Sequence, residues 1–149
     1  MKPPVTIDAL MEEWSKDAPI DQIDPQKAMA KIPELHAKYL RILTHHNMVV
    51  KKIQSTYNER RRVKFEWYNG DLNNKEDLEH YGLEPFVKKI MKSEIGNYID
   101  SDQELNNILL KKVVHEEITD FCKAVLKELN NRTWQLKEYM AWERFIRGQ

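Results

Sequence analysis

Between Pro25 and Tyr68 only Pro33 interrupts a helical pattern. Apolar and ring side chains recur at Met29, Ile32, His36, Tyr39, Leu43, His46, Val50, Ile53 and Tyr57, a heptad stripe. Leu35, Ile42, Val49 and Val63 widen it. Asp24 followed by Pro25 supplies a capping side chain and then a proline in the first turn. Pro33 is expected to kink or restart the helix near its beginning. At a rise of about 1.5 Å per residue, the remainder spans roughly 50 Å. A helix that long in a chain of 149 residues needs a partner along its length.

The other segments supply one. Ile7, Leu10, Met11 and Trp14 predict a short helix with Thr6 as its N-cap, ended by "KDAPIDQIDPQK". Residues 69–85 read as a loop with at most one helical turn around Lys75 to Tyr81, and "FVKKIMKSEIGNYI" stays unassigned. Ser101 is expected to cap a helix reaching Leu129, with a stripe of Leu110, Val114, Ile118, Phe121, Val125 and Leu129. Asn130-Asn131 is a turn signal, and a final helix over 132–147 ends at Gly148. Four glycines, six prolines and few β-branched runs favour helix throughout. The expected fold is all-α: one helical domain over 1–149, built as a long hairpin or bundle with a C-terminal oligomerisation helix. Its parts are a short helix and linker (1–24), the long helix (25–68), loops and short elements (69–100), and the helices 101–129 and 132–147.

The last helix carries apolar residues over a wide arc. Trp134, Ala141 and Phe145 mark one side and Tyr139, Trp142 and Ile146 another, with Leu136 and Met140 between. One reading is a core helix in an ordinary bundle. The other is a self-association surface of Trp134, Tyr139, Met140, Trp142, Phe145 and Ile146, since aromatics and methionine are enriched at interfaces.

Several classes are excluded. One cysteine, Cys122, allows no intramolecular disulfide and fits a reducing compartment. No apolar run approaches the roughly 18 residues of a membrane span, and no signal-peptide pattern opens the chain. A soluble, cytoplasmic protein is expected. Charged residues at 32% and hydrophobic ones at 41% describe a globular chain. Walker loop, dinucleotide fingerprint, zinc spacing and metalloprotease motif are all missing. His45 and His46 point about 100° apart on a helix and cannot share a metal. His115-Glu116-Glu117 lacks a second histidine at the needed spacing. Cys122 fits a small core residue. No nucleophile has a base at recognisable spacing, so no enzyme, metal or cofactor is expected.

Charge is separated along the chain although the formal total is zero. Residues 41–64 carry Arg41, Lys51, Lys52, Arg60, Arg61, Arg62 and Lys64 against Glu59 alone, a net of +6. Residues 70–107 carry nine acids against four lysines, a net of −5. One face can then bind a polyanion and the other a basic partner. Past Tyr57 the stripe becomes Arg60, Lys64 and Trp67. A seam cannot bury unpaired cations, so the face is expected to open to solvent there. Cations beside a tryptophan suit single-stranded nucleic acid, charge following the phosphates and rings stacking on bases. The candidate contacts are Arg60, Arg61, Arg62, Lys64 and Trp67, with Lys51 and Lys52 further along. A solvated helix face is the plain alternative, and it makes the chain a helical scaffold that binds only proteins. DNA and RNA are not separated by this chemistry.

The element order resembles the UvsY family, the recombination mediators of tailed bacteriophages. The matching pieces are "EEWSKDAPID", then Arg62-Val63-Lys64-Phe65 leading into "WYNG", then "KSEIGNYIDSD", "DFC" and "WERFIRG". They cover nearly the whole chain. The resemblance implies a non-enzymatic protein that binds single-stranded DNA and forms a ring of about six or seven subunits. It also implies contact with a single-strand DNA-binding protein and a RecA-like recombinase, in the cytoplasm of the infected bacterial host. The implied role is to help the recombinase replace the binding protein and to stabilise its filament. The family's basic–apolar–basic motif falls on Arg62 and Lys64, and its assembly helix on 132–147. Arg60 and Arg61, and extra N-terminal residues, depart from the pattern.

Overall fold

Side chains that accept the first free amides set where the helices begin. In the computed structural model, which describes residues 6–148, α1 (Ile7–Asp17) starts with Thr6 Oγ1 accepting the Ala9 N–H at 3.1 Å. Asp24 Oδ1 accepts the Lys27 N–H at 3.0 Å and opens α2 (Pro25–Tyr68). Asn74 caps α3 (Lys75–Tyr81). A 3-10 turn, Lys92–Glu94, runs into α4 (Ile95–Asp100). Asp102 Oδ1 then accepts the Leu105 N–H at 3.0 Å at the start of α5 (Gln103–Ile146). Among the described residues there is no strand, and no helix is long and apolar enough to cross a membrane.

Two sequence expectations about breaks are corrected. Pro33 lies inside α2 and does not restart it; Ile32 and Leu35 on either side of it are anchored in the core. Asn130-Asn131 makes no turn either, and the helices expected over 101–129 and 132–147 are one element, α5. Asparagine in a helix costs under about 1 kcal/mol. Leu129, Arg132 and Leu136 are all buried at helical spacing across the two asparagines, and that packing outweighs so small a penalty. Gly70 does end α2, with φ 83°, and its N–H bonds to the Trp67 carbonyl at 3.2 Å.

The chain forms two compact units, with α2 and α5 contributing to both. The first takes the residues up to Val49 and those from Val114 on. Its core joins Leu10 of α1, Ile32, Leu35, Tyr39 and Ile42 of α2, and Ile118, Cys122, Val125, Leu129 and Leu136 of α5. Burial pushes the Cys122 thiol up to about 11, so it stays a neutral core group. Tyr39 meets Trp14 edge-on and donates to Asp17, whose carboxylate also holds Lys38 at 2.6 Å. The buried Arg132 donates to the Ala18 carbonyl at 2.7 Å, placing a cation at the C-terminal end of α1. The stripe histidine His46 is packed, its Nδ1 2.9 Å from Nδ1 of His115.

The second unit is Val50–Val113, with Ile95, Ile99 and Leu105 at its centre and Tyr57, Tyr68 and Ile90 packed on them. One element of the expected α5 stripe is corrected. Leu110 and Val114 are exposed, at 62% and 49%. Successive four-residue steps back from Ile118 rotate about 40° each away from the packed side, whereas a seam alternates three and four.

Candidate nucleic-acid interface

The last five turns of α2 carry the expected cations, and the second unit sorts them onto two sides of the helix. Arg60, Lys64 and Trp67 follow the packed stripe and remain on it. Lys64 is 7% exposed, with Nζ 3.2 Å from Asp102 Oδ2 and 3.1 Å from Glu104 Oε2. Arg60 makes a two-pronged pair with Glu104, through Nε at 2.7 Å and Nη2 at 3.1 Å. The expectation that this face opens to solvent is therefore corrected. The seam holds its cations, Lys64 buried and Arg60 half-buried, because the start of α5 brings two carboxylates to meet them.

Asp102 is the hub of that arrangement. It is 6% exposed, caps α5, and accepts a hydrogen bond from the Tyr68 hydroxyl at 2.6 Å as well as the Lys64 ion pair. Burial works against its ionisation, but the donors from Tyr68, Leu105 and Lys64 outweigh it and hold the carboxyl below its usual range. Glu104 is lowered likewise: burial opposes, and Arg60 and Lys64 prevail. Burial, and then the bond to Asp102, drive the Tyr68 hydroxyl well above the ordinary tyrosine range.

Trp67 is equally committed. Its Nε1 donates to the Glu84 carbonyl at 2.8 Å, and its ring lies 4.9 Å from Tyr68 and 5.0 Å from Phe86. Lys64 sits 4.9 Å over the same indole. Tyr98 completes the cluster against Tyr68 and Phe86.

The opposite side of α2 is open. Lys51, Lys52, Arg61 and Arg62 are exposed. Lys51, Ser55, Asn58, Arg62 and Phe65 recur at alternating steps of four and three, all exposed, with Arg61 alongside. This stripe covers about 20 Å of helix. Arg62 pairs with Glu66 one turn on, at 3.1 Å. A cleft of about 420 Å³ lies here, lined by Asn58, Arg61, Arg62, Phe65, Glu66 and Asp71. The sequence reading missed Phe65 as an exposed ring, at 42%. Its heptad offset from Lys51 and Asn58 was the available signal.

In the first unit, the α5 end shows the aromatic face outward. Trp134 is 68% exposed, Trp142 60%, Phe145 75% and Ile146 64%, and Tyr139 is also exposed. Met140 is half-buried. Trp142 and Phe145 stack at 5.9 Å, while Leu136 points into the core. No group of three or more metal-ligating side chains forms among the described residues.

These features define an all-helical protein with a cationic helix face and an uncovered aromatic helix end. The family described as "Recombination, repair and ssDNA binding protein UvsY" matches residues 13–149, and the chain belongs to it. Crystal structures of the bacteriophage T4 recombination mediator protein UvsY have the same fold. Its lattice type II form gives a TM-score of 0.82 at 20% identity, covering 95% of this chain and 98% of that one. The lattice type I form gives 0.80 at 20% identity, covering 92% and 98%. No curated protein matches.

Proposed function

We propose that this protein is a recombination mediator that binds single-stranded DNA on the open side of α2 and acts without catalysing a reaction of its own. The observation that carries the reading is the exposed side of α2 in a UvsY-family chain, where Lys51 and Arg62 share a stripe and Lys52 and Arg61 flank it to either side. Phosphates need accessible cations, and the burial of Lys64 and the two-pronged pairing of Arg60 with Glu104 move the proposed contacts off them and onto these four. Trp67 is replaced in the proposal for the same reason.

The exposed residues Trp134, Tyr139, Trp142, Phe145 and Ile146, with Met140, are the proposed contact between copies in a ring. A patch of that kind is seldom left bare on a lone protein. In the ring, several modest cationic faces act together on one strand. The partners proposed are single-stranded DNA, a RecA-like recombinase and a single-strand DNA-binding protein, met in the cytoplasm of an infected bacterium.

The test is fluorescence anisotropy on labelled single-stranded DNA and RNA of equal length across a salt series. Affinity for the DNA should fall steeply as salt rises and depend little on sequence. Binding that ignores salt, or that is absent, would leave the protein-only scaffold as the better reading.

A further inference from the structure

Stacking on bases needs a ring that is free to receive one, and the second unit commits nearly all of its rings elsewhere. Trp67, Tyr68, Phe86 and Tyr98 pack on one another. Tyr57 packs on the Ile95, Ile99 and Leu105 core. Tyr81 is half-buried, with its ring 4.9 Å from that of His80. Phe65 remains, 42% exposed, one turn beyond Arg61 and three residues beyond Arg62. At those spacings the three side chains share a face. That face borders the cleft described above.

We propose that this cleft seats one nucleotide of a single strand, with its base on the Phe65 ring and its flanking phosphates on Arg61 and Arg62. The proposal rests on the single-stranded DNA reading and assigns the stacking residue within it. A guanidinium pairs with phosphate oxygens through parallel N–H donors, and a phenyl ring accepts any base on its face. Arg61 makes no ion pair among the described residues, so its fork is available. The two carboxylates of the cleft are already engaged. Glu66 accepts from Arg62, and Asp71 accepts from Asn69 Nδ2 at 2.6 Å. Asn58, Ser55 and Lys51 continue the exposed stripe away from the cleft and give the strand a polar, cationic path along the helix. Other uncovered apolar groups of this unit, such as Val87 and Met91, have no cation positioned with a ring in this way.

The experiment uses the full chain and two labelled strands of equal length, one normal and one in which abasic sites replace the bases. Phe65→Ala should weaken binding to the normal strand about fivefold or more, the effect of losing one stacked base. Its salt dependence should stay that of the wild type, and on the abasic strand it should bind as the wild type does. Phe65→Trp should retain the affinity for bases. Arg61→Ala should lose affinity on both strands and shallow the salt dependence. Equal binding of Phe65→Ala and wild type to the normal strand would overturn the assignment, as would an equal loss on both strands. Failure of the wild type to bind either strand would overturn the DNA reading itself together with this one. Circular dichroism of each variant separates loss of contact from loss of fold.

Discussion

Two positions beyond Arg62 the helix has turned by about 200°, and Lys64 faces carboxylates instead of solvent. The same cationic chemistry therefore has opposite consequences at the two sites. Arg62 is 62% exposed with one weak partner, Glu66, at 3.1 Å. Arg62→Ala should leave the urea midpoint unchanged and weaken DNA binding. Lys64→Ala should destabilise the second unit by about 3 kcal/mol, because it leaves the carboxylate of Asp102 buried without its cation. Urea titration followed by circular dichroism measures both, and a loss below about 1 kcal/mol for Lys64→Ala would mean that the pair is not structural. The acids of this cluster also fix a pH dependence. Asp102 and Glu104 are lowered in the folded state, so their stabilisation is present above the usual carboxylate range. It is lost as pH falls through the lowered values. Glu104→Gln should accordingly begin less stable at neutral pH and lose less than the wild type between about pH 4.5 and 2. Parallel curves for the two proteins would refute the coupling.

At the scale of elements, the long helix was legible because its signals are local. Asp24, Pro25, the heptad stripe and Gly70 all act within a few residues of the boundary they set. The cation cluster was not legible, since the acids that decide it lie about forty residues away from Lys64 in the chain. Of the nine acids in 70–107, Asp102 and Glu104 are spent on this chain's own Lys64 and Arg60. Asn130-Asn131 failed for a related reason. A turn signal is a weak local preference, and Arg132 and Leu136, anchored in the first unit, overrule it. Continuity there has a direct test. Asn130 and Asn131 are exposed, so replacing both with alanine should stabilise a continuous helix by about 1 kcal/mol in total. Were the segment a turn, the same change would destabilise, and thermal melting distinguishes the signs.

For the whole molecule, the decisive question is what covers the end of α5. Removing the segment after Asn131 would be a poor test of assembly. Arg132 bonds the Ala18 carbonyl and lies 5.6 Å over the Trp14 ring, and Leu136 is part of the core. Truncation would damage the first unit along with the outward face. The two functions separate by side, because Trp142 and Phe145 stack on each other at the surface and take no part in that core. Exchanging both for serine should keep the helix content and the melting of the isolated chain. The variant is expected to sediment as a monomer and the wild type as the proposed closed oligomer, since a ring repeats one contact around its axis and loses all copies together. Its affinity for a long single strand should fall well beyond the loss caused by Arg62→Ala, although every cation of α2 is still in place. Linked sites raise the local concentration of one another, and the few exposed cations of a lone subunit cannot replace that gain. On an oligonucleotide short enough to engage one subunit, the variant and the wild type should bind alike. An intact oligomer in the Trp142→Ser, Phe145→Ser protein would remove this face from assembly and leave its exposure to be explained by a different partner.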